Sequence, residues 1–141
     1  MNTTDRITKS LARWRECVAS HDLSNLRDLI AEDAVFRSPV LWKPKEGAEM
    51  LVIALSAADK VFQDFTYHRQ MTDGTSWALE FSARVGAMSL KGVDIIRFNA
   101  DGRIEDFEVM VRPAKGLHAL AEAMAKEMAA QGNYEKFIAG G

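Results

Sequence analysis

The sequence predicts an α+β fold in which helices cover one face of a curved antiparallel sheet. Three observations support this prediction. Apolar residues recur at helical spacing in the first third of the chain, alternate with a period of two in the second half, and return to helical spacing after Pro113. Helices followed by a run of strands are typical of α+β domains. Such a cone-shaped arrangement leaves a cavity between its two layers, and small ligands bind in cavities of this kind.

The N-terminal third is predicted to be helical. The first helix has an apolar face formed by Ile7, Leu11, Trp14 and Val18. His21-Asp22 interrupts this pattern, and Asp22 or Ser24 can cap a second short helix that carries Leu26, Leu29 and Ile30. A short strand over Ala34–Pro39, a loop and a third helix over Glu46–Asp59 follow.

Four strands are predicted in the second half. The strongest pattern belongs to residues 77–85, in which Trp77, Leu79, Phe81, Ala83 and Val85 alternate with more polar or smaller residues. The neighbouring strands cover Phe65–Met71, Leu90–Phe98 and Arg103–Arg112, with turns at Asp73-Gly74 and Asn99–Gly102. Pro113 ends the sheet. A last helix carries Leu117, Leu120, Met124 and Met128 and ends at Gly132.

Composition indicates one ordinary domain over residues 1–132, with a loosely ordered tail over residues 133–141 in which Tyr134, Phe137 and Ile138 could pack against a partner. Of the 141 residues, 48% are hydrophobic and 27% are charged, and the formal net charge is −2. We therefore expect no nucleic-acid partner. The longest apolar run, Met50–Leu55, is too short to span a membrane, and Met1–Ser10 lacks the apolar core of a secretory signal. A single cysteine, Cys17, fits a cytoplasmic setting, and we expect no metal and no cofactor.

Several local sequences resemble one known family. They are Trp14, His21-Asp22-Leu23, the segment Asp33–Pro39, the segment Val93–Asn99 and the segment Asp101–Ile104. Together with the element order, they make residues 5–128 similar to the nuclear transport factor 2-like superfamily, and especially to its SnoaL-like and ketosteroid-isomerase-like branch. The resemblance implies the cystatin-like, cone-shaped fold. It does not imply one activity, because the superfamily includes isomerases, polyketide cyclases, epoxide hydrolases and transport factors.

The isomerase branch uses three positions, of which this chain keeps one. Its helix tyrosine corresponds to Trp14, its general base before Pro39 corresponds to Ser38, and its strand aspartate corresponds to Asp94. Moving a proton between carbons requires a base within reach of the substrate. Ser38 has no neighbouring base in the sequence, so we do not expect ketosteroid isomerisation by the family mechanism.

The epoxide-hydrolase branch requires a second inward-facing acid on the last strand. The predicted inward residues there are Phe107, Val109 and Val111, so Asp106 and Glu108 point away. This disfavours that activity.

Asp94 is therefore the candidate catalytic residue. A carboxyl group among apolar side chains has a raised pKa and can donate a hydrogen bond, although Asp94 could instead simply satisfy the Trp14 indole. The predicted pocket binds or converts a hydrophobic keto or hydroxy compound. Its predicted lining is Trp14, Phe36, Ser38, Trp42, Leu79, Phe81, Ile96, Phe98, Phe107 and Val109. Ser38 either contacts the ligand or bonds nearby backbone, and Trp42 either forms a lid or caps the core or an interface.

A non-catalytic homodimer that binds a ligand or another protein is the alternative function. The outward sheet face is predicted to be partly apolar and to pair with a second copy; it comprises Ile95, Arg97, Met110, Glu108, Ser82 and Arg84. Outside the pocket, His68 is expected to be exposed, although it is the plausible proton carrier near neutral pH. Arg112 is expected to pair with an acid such as Glu108, or to bind a substrate carboxylate.

Overall fold

Six strands form one curved, open sheet in the computed structural model, which describes residues 1–139. The helices are α1 (Thr3–Ser20), α2 (Ala48–Val61), α3 (Ala114–Ala130) and α4 (Tyr134–Ile138), with a 3-10 helix at Leu26–Leu29. The strands are β1 (Ile30–Arg37), β2 (Lys45–Glu46), β3 (Gln63–Thr72), β4 (Ser76–Val85), β5 (Met88–Phe98) and β6 (Ile104–Arg112). The predicted α+β fold is confirmed. No described helix is long and apolar enough to cross a membrane.

The strand order is β2-β1-β6-β5-β4-β3, and only β1 and β6 pair in parallel. Strands β3 to β6 form an antiparallel meander, as their alternating sequences predict. In this register Asp94 on β5 lies opposite Leu79 on β4 and Val109 on β6. Asp94 therefore occupies the middle of the sheet, on the concave face that the helices cover.

The core lies between this concave face and the helices. Leu79, Phe81, Ile96 and Phe98 are almost fully buried, which agrees with the predicted inward face of β4 and β5. On α1 the buried residues are Ile7, Leu11, Trp14 and Cys17, and Val18 is partly buried. Burial raises the pKa of the Cys17 thiol, as expected for a small apolar core residue.

The predicted second helix is wrong in type and length. It is a single 3-10 turn, and Ile30 already has extended backbone that begins β1 four residues before the predicted start at Ala34. Ile30 pairs with Ile104 of β6, so sheet pairing overrides the local helical pattern.

The C-terminal segment is ordered against the domain instead of forming a loose tail. After Gly132, which has a φ of 76°, the chain turns into α4. Phe137 on this helix is only 5% exposed, and its ring packs near Phe36 and the buried Lys45. The tail was predicted over residues 133–141; its last two residues lie outside the described part of the chain.

Candidate ligand-binding cavity

A cavity of about 210 Å³ lies between the sheet and the four helices. Its wall is mostly apolar because each helix turns its hydrophobic face toward the sheet. Trp14 comes from α1, Leu55 from α2, Met124 from α3 and Phe137 from α4, while Phe107 comes from the sheet. A mostly apolar cavity with few polar groups is the usual form of a small-molecule site.

Three polar side chains form a hydrogen-bonded chain at the cavity wall. The Trp14 indole Nε1 donates to the Tyr67 hydroxyl over 3.0 Å, and the Tyr67 hydroxyl donates to Asp94 Oδ2 over 2.5 Å. An indole N–H can only donate, so the Tyr67 oxygen accepts from Trp14, and because the carboxylate form of Asp94 can only accept, the Tyr67 hydroxyl directs its own proton to Asp94. The chain therefore runs one way and ends at Asp94.

One carboxylate oxygen of Asp94 takes no part in this series of hydrogen bonds. Within residues 1–139 its one hydrogen-bond partner is Tyr67, which contacts Oδ2 and leaves Oδ1 without a protein partner. The Asp94 residue is 6% exposed and lines the cavity. Oδ1 is therefore the polar atom that a ligand in this part of the cavity can meet.

Burial controls the protonation of this pair. Loss of hydration raises the pKa of Asp94 to about 7, although the hydrogen bond from Tyr67 opposes the rise by stabilising the carboxylate. The pKa of Tyr67 lies well above its usual value, first because the phenol is buried and then because the Asp94 charge is close. Tyr67 therefore stays protonated near neutral pH, whereas Asp94 is partly protonated and partly ionised there.

The structure brings part of the predicted lining together. Trp14, Phe36, Ser38, Asp94, Phe107 and Val109 all lie on the cavity wall. Leu79, Phe81, Ile96 and Phe98 face the same side of the sheet but are buried in the core away from the cavity. The strand alternation gives the correct face, whereas the position of the cavity along each strand depends on which helix side chains cover it.

Ser38 and Trp42 have different environments. Ser38 Oγ accepts hydrogen bonds from the backbone N–H groups of Val40 and Leu41, over 3.0 and 3.1 Å, and so fixes the loop after β1. Trp42 is 99% exposed and is not part of the cavity wall, so the prediction of a lining Trp42 is wrong in this structure. The loop turns after Leu41, which carries Trp42 into solvent while Leu41 remains at the cavity.

Sequence reasoning missed three polar residues of the cavity. Tyr67 follows Phe65 at the inward spacing of β3, a signal that the polar residues around it obscured. His21 and Asp59 also line the cavity, with Nδ1 of His21 at 2.8 Å from Oδ1 of Asp59. His68, by contrast, is exposed outside this cavity and bonds Ser82 Oγ over 2.7 Å.

The other predicted acids do not enter the cavity. Asp106 lies on the opposite face of the sheet, where Arg37 donates from Nε to Oδ1 over 3.2 Å and from Nη2 to Oδ2 over 3.0 Å. In the described residues, Arg112 makes no ion pair, so the expected pairing with Glu108 is absent. Residues 1–139 also contain no cluster of three or more His, Cys, Asp or Glu side chains placed to hold a metal ion.

A family model described as a SnoaL-like domain matches residues 11–107. The chain belongs to the SnoaL-like family. This SnoaL-like protein is 52% identical to a structure described as a steroid delta-isomerase from Pseudomonas aeruginosa, over 89% of this chain and 93% of that one, with a TM-score of 0.88. It is 38% identical to an uncharacterized protein with a cystatin-like fold from Silicibacter pomeroyi, over 91% of each chain, with a TM-score of 0.84.

A more distant structure shows how far the fold extends. An NTF2-like protein of unknown function from Mesorhizobium loti is 22% identical over 80% of this chain and 96% of its own, with a TM-score of 0.69. Among curated proteins, no match to this SnoaL-like chain is found. The predicted resemblance to the nuclear transport factor 2-like superfamily is therefore confirmed for fold and family.

Proposed function

We propose that this SnoaL-like protein binds a compact hydrophobic ketone or alcohol, with Asp94 hydrogen-bonding the oxygen of the ligand. The observation that carries the proposal is the one-way chain from Trp14 through Tyr67, which ends at the unoccupied Oδ1 of Asp94 in an otherwise apolar part of the cavity. Asp94 lines the cavity, so a ligand oxygen there can form the hydrogen bond that Oδ1 does not make within the protein.

The protonation of Asp94 selects the kind of oxygen. As a carboxylic acid it donates to a carbonyl oxygen, and as a carboxylate it accepts from a hydroxyl group. Because the pKa of Asp94 is about 7, both forms are populated near neutral pH. Ketone binding is therefore expected to strengthen below pH 7, and alcohol binding above it.

The cavity volume favours a ligand of about two rings. The volume of about 210 Å³ is below the usual lower limit of about 300 Å³ for sites that bind drug-sized ligands. A steroid, the class named for the Pseudomonas aeruginosa relative, would have to leave part of its skeleton at the mouth or displace α4.

Binding is better supported than isomerisation through the family base position. Ser38 occupies that position, and its Oγ already accepts two backbone hydrogen bonds. A serine hydroxyl without a neighbouring base is a poor proton acceptor for carbon acids.

A matched pair of ligands tests the proposal. We would measure thermal stabilisation at pH 7 by 4-cyclohexylcyclohexanone and by bicyclohexyl, which has the same skeleton without oxygen. One site at a hundredfold excess over the dissociation constant adds about 2.7 kcal/mol to the unfolding free energy. The wild type should prefer the ketone, Asp94→Leu should lose the preference, and Asp94→Asn, whose amide can still donate, should retain it. Equal stabilisation of wild type and Asp94→Leu by the ketone would contradict the proposal.

We also infer that the outward sheet face joins two copies of the chain. Met110 is 48% exposed at this face, and on the neighbouring strand Val93 opposite it and Ile95 are half-buried. Exposed apolar side chains on a sheet face favour association. Sedimentation equilibrium should give a dimer for the wild type and a monomer for Met110→Lys; a monomeric wild type would contradict the inference.

A further inference from the structure

A second polar site lies at the mouth of the cavity. His21 ends α1, Asp59 lies near the end of α2, and the two side chains join these helices through the 2.8 Å contact between Nδ1 and Oδ1. The His21 side chain is 63% exposed and that of Asp59 is 15% exposed. Both line the same cavity as Asp94.

The contact with Asp59 determines what His21 offers a ligand. An ionised carboxylate only accepts hydrogen bonds, so Nδ1 carries the proton and donates it to Asp59. In the neutral imidazole the other nitrogen, Nε2, is then an acceptor. Within residues 1–139 Nε2 has no hydrogen-bond partner. The mouth of the cavity therefore presents an acceptor, whereas the protonated form of Asp94 presents a donor.

The two polar sites are separated along α1. Trp14, whose indole begins the hydrogen-bonded chain to Asp94, and His21 are two turns apart on the cavity side of this helix, with the apolar Val18 between them. At 1.5 Å per residue, the Cα atoms of Trp14 and His21 lie about 10 Å apart. A ligand that reaches from the Asp94 end of the cavity to His21 passes the apolar Val18, so its middle part is apolar.

We propose that the ligand is a hydroxy ketone with its oxygens at opposite ends, the carbonyl at Asp94 Oδ1 and the hydroxyl donating to His21 Nε2. The proposal rests on the proposed function and adds the second oxygen, its hydrogen-bonding role and the orientation of the ligand. Asp59 is a positioning residue, because it sets the imidazole tautomer without contacting the ligand.

The test compares three ligands that share one skeleton. Calorimetry at pH 7 would use 4-cyclohexylcyclohexanone, 4-(4-hydroxycyclohexyl)cyclohexanone and the methyl ether of that alcohol, which can no longer donate. One added hydrogen bond of about 1 kcal/mol makes the alcohol bind on the order of fivefold more tightly than the ether in the wild type. His21→Gly, which suits the φ of 58° at this position, should reduce this ratio to about one by removing the acceptor. Asp59→Asn should also lower it, because an asparagine amide no longer requires the Nδ1–H tautomer.

The control is His68→Ala, which removes an exposed histidine outside this cavity and should leave the ratio unchanged. Equal binding of alcohol and ether by the wild type would overturn the proposal, and so would a ratio that persists in His21→Gly. If the wild type binds the simple ketone through Asp94 but does not favour the alcohol, only the second site is refuted. If the simple ketone does not bind, the proposed function fails as well.

Discussion

Replacing Asp94 by asparagine is expected to remove a pH dependence of stability that the wild type carries. Asparagine keeps the size of the side chain and can still accept the hydrogen bond from Tyr67, but it has no charge to bury. The pKa of Asp94 is about 7 in the folded protein and close to 3.9 when unfolded. At 1.36 kcal/mol per pKa unit, this difference corresponds to about 4 kcal/mol.

The sign follows from the raised pKa. The unfolded chain releases the Asp94 proton near pH 4, whereas the folded chain holds it until about pH 7, so the wild type loses stability as pH rises through this range. Roughly a third of the total loss has occurred by pH 5. Between pH 5 and pH 8.5, the unfolding free energy of the wild type should therefore fall by about 2.5 kcal/mol relative to Asp94→Asn.

Urea unfolding at half-unit pH intervals measures this difference directly. Asp101→Asn, a change in the exposed turn between β5 and β6, controls for the substitution itself. Parallel pH profiles for wild type and Asp94→Asn would refute the reasoning, because they would mean that Asp94 has the same pKa in both states.

Two further substitutions test the cavity wall. Tyr67→Phe removes the hydrogen bond that stabilises the Asp94 carboxylate, so the same urea series should show the pKa of Asp94 above 7. The substitution also leaves Trp14 Nε1 without its partner, which should lower the unfolding free energy by about 1–3 kcal/mol. An Asp94 pKa that is unchanged or lower in Tyr67→Phe would contradict this prediction. Phe137→Ala removes a buried ring and should cost about 3 kcal/mol in urea unfolding, whereas Trp42→Ala, at a fully exposed position, should change stability by less than about 0.5 kcal/mol. Equal effects of the last two would show that α4 does not close the cavity.

The sequence predicts the sheet well because alternation determines which face of a strand each residue occupies. That pattern is strongest from Trp77 to Val85. In the antiparallel register Asp94 of β5 lies opposite the inward-facing Leu79 of β4, so Asp94 lies on the concave face as well. Alternation also places Tyr67, which sequence reasoning missed, on the inward face of β3 together with Phe65, two residues earlier. The polar residues around Tyr67 obscured this pattern in the sequence.

The cavity depends on contacts that no local pattern reveals. His21 and Asp59 are 38 residues apart, and only the tertiary fold brings the ends of α1 and α2 close enough for them to meet. The helix α4 has five residues, too few for a period to be recognised, and it is stabilised by the burial of Phe137 beside Phe36. Tertiary burial, rather than local propensity, stabilises such short elements.

The infrared spectrum of a bound ketone tests the central claim most directly. The difference between spectra recorded with ¹²C and with ¹³C at the carbonyl of 4-cyclohexylcyclohexanone isolates the C=O stretch of the ligand from the protein bands. A hydrogen bond from Asp94 lowers this frequency, so the ketone bound to the wild type should absorb below its position in an alkane solvent, and the shift should vanish in Asp94→Leu. A frequency in the wild type equal to that in alkane would show that the ligand oxygen does not meet Asp94 and would contradict the proposed function.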